Sequence, residues 1–406
     1  MTTNASTTDI EAGRRWVILG VAYLCMVTFV TTLQAVPPVL SLVMAEFKLS
    51  HAQGGLLMSL YAVPGLIVSI PAGMLADRYG QRVIGLVSFS LAIAGTAIVA
   101  TGNSLLVVIL GRLVTGIGAM TLMVLGPQLL AEWFRGREMG MAMGIFNTGF
   151  PVGTILSLNF LAMAGESLGW RAGIWLSAMM PLAGLVIFAL LFTPAPRGSQ
   201  ETSGQAEGFF QGIRLAGIPI WVVGAAWMLF NATIIALFTF TPDFLQTIGY
   251  SVASAGFVAS AVMWTTLVMS PVVGYVIDKI DRKLAIVAIG GVATAMLVLI
   301  VPTAAGWMLA LMLLIGIAQT LVPVAIFALP PEVTSPKRLG LGFGILTTCL
   351  TLGIVLGPAT VGLVKDVTGS YPASYALMAG FACLIALAIL ILGRMRSQIS
   401  AATRSG

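Results

Sequence analysis

Arg112 is the residue whose chemistry needs explaining first, because it stands in the middle of an otherwise apolar run from Leu105 to Gly126. Taking a guanidinium out of water costs several kcal/mol unless it is paired or hydrated, so a charge at such depth is a candidate for function. Two chemistries suit it. Its planar fork of donors can hold a carboxylate or take part in coupling. Alternatively, it can tie helices together through carbonyls and hydroxyls. The 14 acidic residues all fall in tails, loops or the ends of apolar runs. No carboxylate therefore shares that depth, which counts against a lipophilic cation or a buried carboxylate proton carrier and favours an anionic solute. Asp243, at the outer end of its run, is the weaker candidate for accepting a proton. Since removing a buried charge relieves desolvation, replacing Arg112 is expected to leave the empty protein's stability unchanged or slightly raised.

Other polar or aromatic side chains near mid-depth are candidates to line a cavity: Thr31, Gln34, Tyr61, Gln128, Asn147, Asn231, Trp264, Gln319 and Thr347. Each has a plainer reading as a helix-to-helix hydrogen bond. The single histidine, His51, sits beside Ser50 and Gln53 and reads as a solvated loop residue. Cys25, Cys349 and Cys383 fall inside apolar runs, with neither metal-ligand spacing nor a disulfide framework. There is no phosphate loop and no His and Cys cluster, so no enzymatic activity, metal or cofactor is expected.

The elements that position these residues are membrane helices. Hydrophobic residues make up 58% of the 406 and charged ones 8%, against roughly a quarter charged in soluble domains. Twelve apolar runs, each long enough to cross a bilayer, follow one another. They are Trp16 to Val36, Gly54 to Leu75, Val83 to Thr101, Leu105 to Gly126, Met139 to Ala164 and Arg171 to Phe192, then Ile218 to Thr241, Val252 to Ile277, Leu284 to Val301, Gly306 to Phe327, Leu339 to Val364 and Tyr371 to Leu392. The first run reads as a retained span rather than a cleaved leader. With the N-terminus in the cytoplasm, 16 of the 20 Lys and Arg residues fall on the cytoplasmic side. Both termini are thus expected there, in a multi-pass protein of the cell inner membrane, and the net charge of +6 is topological rather than a nucleic-acid footprint.

The longest polar interruption, 194–217, separates an N-terminal six-helix bundle, 1–193, from a C-terminal one, 218–406. The halves echo each other. Gly73, Asp77, Arg78, Gly80 and Arg82 return, 201 residues later, as Gly274 with Asp278, Lys279, Arg282 and Lys283, although Asp281 stands where the second glycine would be. Independently, Gly140, Gly149 and Gly153 return after 204 residues as Gly344, Gly353 and Gly357, the last followed by Pro358. Duplicated bundles flanking a central site are a recurrent construction in secondary transporters.

These residues resemble the major facilitator superfamily. Gly73, Asp77, Arg78, Gly80 and Arg82 match its loop motif after the second span, with Gln81 in place of one basic residue. Arg112, Gly116 and Gly118 resemble its R-x-x-x-G-x-G element, whose counterpart in the tenth span has Met312. Gly353, Gly357 and Pro358, with Gly149 and Gly153, resemble a glycine-proline motif of its antiporter branches; here they read as close-packing surfaces.

The resemblance implies an all-helical fold of two pseudo-symmetric six-helix bundles and transport by alternating access. It also implies a cytoplasmic gate at Gly73, Asp77, Arg78, Gly80, Arg82, Asp278, Lys279 and Arg282. A looser likeness points to branches that carry cyanate-like or other small organic anions. The candidate solute or coupling residues are Arg112, Gln34, Tyr61, Gln128, Asn147, Asn231, Trp264 and Gln319. Expected partners are a small solute, a coupling proton or counter-anion, and the lipid bilayer, for a monomer that binds no nucleic acid. Two rival readings are export of neutral hydrophobic compounds, suggested by Met, Trp and Phe in the spans, and a transport-inactive receptor or scaffold.

Overall fold

Proline decides where the first apolar run breaks. The structure, a computed structural model, describes residues 3–134, 138–194, 217–280, 282–334 and 339–405; the polar linker and the basic residues at 135, 137, 337 and 338 lie outside them. The first helix, α1 (Thr3–Leu33), stops ahead of Pro37 and Pro38, which open a single 3-10 turn, Pro37–Val39, before α2 (Leu40–Phe47). Having no N–H, these prolines cannot donate to the carbonyls of Leu33 and Gln34.

Three long helices follow: α3 (His51–Tyr79), α4 (Gln81–Thr101) and α5 (Leu105–Trp133). The fifth run crosses as one helical span, Met141–Leu168, as expected, and local changes in its hydrogen bonding divide it into α6 (Met139–Asn147), α7 (Gly149–Leu156), a π-helical turn (Ser157–Leu161) and α8 (Ala162–Leu168). At the first division Pro151 has no N–H for the Asn147 carbonyl, while the Thr148 hydroxyl donates to the Ile145 carbonyl at 2.6 Å.

After α9 (Trp170–Leu191) come α10 (Ile218–Thr247), α11 (Val252–Lys279), α12 (Lys283–Ile300), α13 (Met308–Ile326), a single turn α14 (Pro330–Val333), α15 (Leu339–Thr368) and α16 (Tyr371–Ser405). Twelve segments among the described residues are helical, long and apolar enough to cross a membrane.

Two compact units result. The first holds Met1–Lys48, Leu60–Gly198 and Ser251–Gly256; the second holds Leu49–Ser59, Ser199–Tyr250 and Phe257–Gly406. Each unit thus includes the opening turns of a helix, α11 or α3, whose remainder belongs to the other. In the first unit α1 packs on α5 and α9, and α4 on the same two helices; in the second α10 packs on α15 and α16, and α12 on α13 and α16.

Glycine sets these separations. A Cβ on Gly116 would lie 2.0 Å from the Tyr61 carbonyl oxygen of α3, and one on Gly118 2.3 Å from the Ser88 carbonyl oxygen of α4. Two glycines two residues apart therefore serve two different neighbours. The repeated pair is used alike in both units: Gly149 and Gly153 press on Met26 and Val30 of α1, Gly353 and Gly357 on Met228 and Ala232 of α10.

Candidate functional site

Arg112 lies in α5, 2% exposed. One guanidinium nitrogen donates to the Thr32 carbonyl at 2.8 Å and the other to the Leu33 carbonyl at 3.2 Å. These are the last carbonyls of α1, and Leu33 is the residue whose helical donor would have been Pro37. The fork thus caps a helix that proline has cut short, placing a positive charge at its negative C-terminal end. Its Cζ sits 4.6 Å from the centre of the Tyr61 ring, a cation–π contact made possible by the close approach at Gly116.

Tyr61 is fully buried. Its hydroxyl donates to the Phe29 carbonyl at 2.8 Å and lies 2.8 Å from the Thr32 hydroxyl. Gln34, next in the chain, is also fully buried, and neither atom of its side-chain amide has a hydrogen-bond partner. Beside them Thr32, Val36, Thr96, Thr115 and Ile174 enclose, with Arg112, a void of about 10 Å³, the lower limit for one water. A larger groove of about 360 Å³ in the same unit is almost wholly apolar, lined by Thr31, Leu156, Phe160, Leu176, Met179 and Met180 beside the π-helical turn.

Three of the candidates, Arg112, Tyr61 and Gln34, therefore meet at the α1 break, and the others do not join them. Gln128 is 16 residues further along α5, about 24 Å at 1.5 Å per residue, and half-buried with its amide oxygen unpartnered. Asn147 ends α6 and is exposed. In the second unit Asn231 donates to its own helix at Trp227, at 2.8 Å. Gln319 of α13 donates to the Thr266 hydroxyl of α11 at 2.5 Å, the helix-to-helix bond of the plainer reading. Trp264 is half exposed, on α11.

Of the expected gate residues, Gly73 and Asp77 fall on α3 and Asp278 on α11, and the surroundings of Gly73 and the side chains of Asp77 and Asp278 lie outside what is described. Gly80 adopts φ +86° with open space around its Cβ position, so backbone conformation, not packing, asks for glycine as α4 begins. Arg82 donates to the Ala189 carbonyl near the end of α9 at 3.1 Å. Arg78 lies over the Tyr79 ring and Lys279 over Tyr275, at 5.4 and 4.5 Å; Arg282 precedes α12 as its exposed N-cap. Gln81, the departure from the motif, donates to Glu132 at 2.7 Å, and Lys283 pairs with Glu332, so the start of α4 and of α12 is each tied to a glutamate further along.

His51 corrects the sequence reading. It is no solvated loop residue but the first residue of α3, its side chain 26% exposed, with a carboxylate at each ring nitrogen. Nδ1 lies 3.2 Å from Asp366 and Nε2 3.3 Å from Asp243 and 3.3 Å from the Tyr371 hydroxyl. Tyr371 itself donates to Asp243. Asp366 is 315 residues from His51 in the chain, so no local pattern announces the contact; the only local signal is a lone histidine at a helix start.

The sequence profile described as Major Facilitator Superfamily matches this chain over residues 21–255 and again over 222–405. The chain is 25% identical over 407 aligned residues to the 3-(3-hydroxy-phenyl)propionate transporter of Escherichia coli (strain K12), covering 97% of this chain and 98% of that protein. It is 24% identical over 397 residues to the lysosomal dipeptide transporter MFSD1 of Danio rerio, covering 90% and 85%. Among solved structures, a D-xylose-proton symporter superposes with a TM-score of 0.76 at 18% identity, covering 92% and 97%.

Proposed function

We propose that this chain, which belongs to the major facilitator superfamily and is a secondary transporter of a small solute, carries an organic anion by alternating access, with a proton or counter-anion as its coupling partner. One observation carries the anion assignment: Arg112, a guanidinium 2% exposed at the break of a spanning helix. In surroundings of low dielectric, its field extends beyond the carbonyls it caps and favours negative charge nearby. The buried amide of Gln34, which no protein atom satisfies, adds donors at the same break. The solutes named for two similar proteins, a propionate and a dipeptide, share a carboxylate, which supports the same reading. On the orientation that the basic residues imply, both termini are cytoplasmic, and the gate lies at Asp77 and its counterpart Asp278.

The apolar groove of the first unit, bordered by Phe160, Leu176 and Met179, favours a second reading, export of a neutral hydrophobic compound. Uptake into proteoliposomes separates the two. The anion reading expects accumulation of a labelled carboxylate, with about tenfold or greater discrimination against its neutral amide. Equal transport of acid and amide overturns it. Exchange of lipophilic neutral compounds alone supports the second reading, and movement of neither class leaves a transport-inactive scaffold.

A further inference from the structure

The first unit contains a natural control for the cluster around His51. There Glu166, near the end of α8, accepts from the Ser251 hydroxyl at 3.0 Å and from the Ala253 backbone N–H at 2.5 Å, capping the start of α11. In the second unit, 200 residues on, Asp366 near the end of α15 accepts from the backbone N–H groups of His51 and Ala52 at 2.9 and 2.7 Å, capping the start of α3. Backbone contacts repeat as well: a Cβ on Gly256 would lie 1.9 Å from the Leu158 carbonyl oxygen, and one on Gly55 2.2 Å from that of Pro358. Holding a helix start with a carboxylate thus needs no histidine, since the first unit does it beside Val252. His51, standing where the first unit has Val252, is an addition made to one copy only.

That addition has too few donors unless a proton is bound. A neutral imidazole has one N–H and one lone pair. With the N–H on Nδ1 facing Asp366, the Nε2 lone pair faces the Asp243 carboxylate and the Tyr371 oxygen. The Tyr371 hydroxyl has a single proton, which it gives to Asp243; turned towards Nε2, it would leave Asp243 without that donor. Only the doubly protonated ring gives an N–H to each side at once. The other charged and titratable groups packed around are Lys365 of α15, whose Nζ lies 4.1 Å from the Tyr371 ring centre, and Tyr375 of α16, engaged with the Thr241 hydroxyl at 3.1 Å. Neither supplies His51 with a donor. Among the described residues no set of three or more His, Cys, Asp or Glu is arranged to hold a metal, so the ligand that suits the gap is a proton.

We propose that His51, with Asp243, Asp366 and Tyr371, is a proton-binding site whose occupation clamps the opening turns of α3 onto α10, α15 and α16 within the second unit. The clamp is complete when protonated and weakens when the proton leaves. It holds whatever the solute turns out to be.

Hydrogen exchange of the full-length protein in lipid nanodiscs tests this, read on the peptide covering 49–60 and corrected for the intrinsic pH dependence of exchange. Protection there is expected to fall about tenfold to a hundredfold, the worth of a charge-assisted hydrogen bond, as the pH rises from about 6, below which a histidine holds its proton with or without the clamp, to about 9. The equivalent peptide covering 250–258 should show no such step. His51→Gln should abolish the step at 49–60, and Asp243→Asn should reduce it to less than about threefold, because one N–H then suffices. A flat wild-type profile, or the same step surviving in His51→Gln, overturns the proposal.

Discussion

Replacing Arg112 by glutamine separates the two roles that one guanidinium can play, and the structure sets the size of the effect. The fork donates at 2.8 and 3.2 Å to the Thr32 and Leu33 carbonyls, and each charge-assisted bond contributes about 1.5–3 kcal/mol. Glutamine is shorter and neutral; one recovered bond returns about 1 kcal/mol. Net destabilisation of about 2–5 kcal/mol follows, or roughly 2–6 °C in melting temperature for a chain of 406 residues. Sequence reasoning gave the opposite sign, since relief of desolvation alone predicts unchanged or increased stability. The difference arises because the charge serves a carbonyl that Pro37 cannot. Arg112→Lys, with one compact cationic head, should fall between wild type and the glutamine variant. Fluorescence-monitored unfolding of the ligand-free protein in nanodiscs measures this. A glutamine variant that melts with the wild type refutes the capping argument. If that same variant also loses carboxylate affinity, Arg112 acts on the solute and not on the helix end.

Gly116→Ala and Gly357→Ala should each lower folded yield severalfold, because the added Cβ would meet backbone at 2.0 and 2.3 Å, whereas Gly144→Ala, with nothing within 4 Å, should be neutral; size-exclusion profiles of tagged protein report both. Asp77→Asn is expected to reduce transport and leave membrane insertion intact, as a gate residue requires. Unchanged uptake together with unchanged labelling of cysteine probes on the far side would remove it from the gate. Topology reporters fused within 194–217 and after Arg404 should both register cytoplasm, and an external signal at either would reverse the assigned orientation.

Membrane class, the count of spans and the duplication were legible in the chain, because each rests on short-range facts. An apolar stretch that must satisfy its own backbone in lipid can only be a helix, and repeated glycines at one offset mark a repeated packing surface. The local irregularities within the fifth span were less legible, although Pro151 was in view, since a proline within a run can kink a helix or leave it nearly straight. Arg112 was identifiable as a buried charge from its place in an apolar run. Its partners were not, because the Thr32 and Leu33 carbonyls are 80 and 79 residues away and acquire a need for a donor only through the prolines that follow them.

His51 shows the same limit more sharply. By sequence it was one histidine among polar neighbours, and nothing local separates a solvated ring from one set between two carboxylates. Sequence alone determined the solvent in which this protein folds, its repeat and its one deep charge, since these follow from composition and spacing. Tertiary structure decided which backbone groups that charge serves and which acids meet His51, because hydrogen bonds reach only about 3 Å and such distances between residues hundreds of positions apart exist only once the helices have packed.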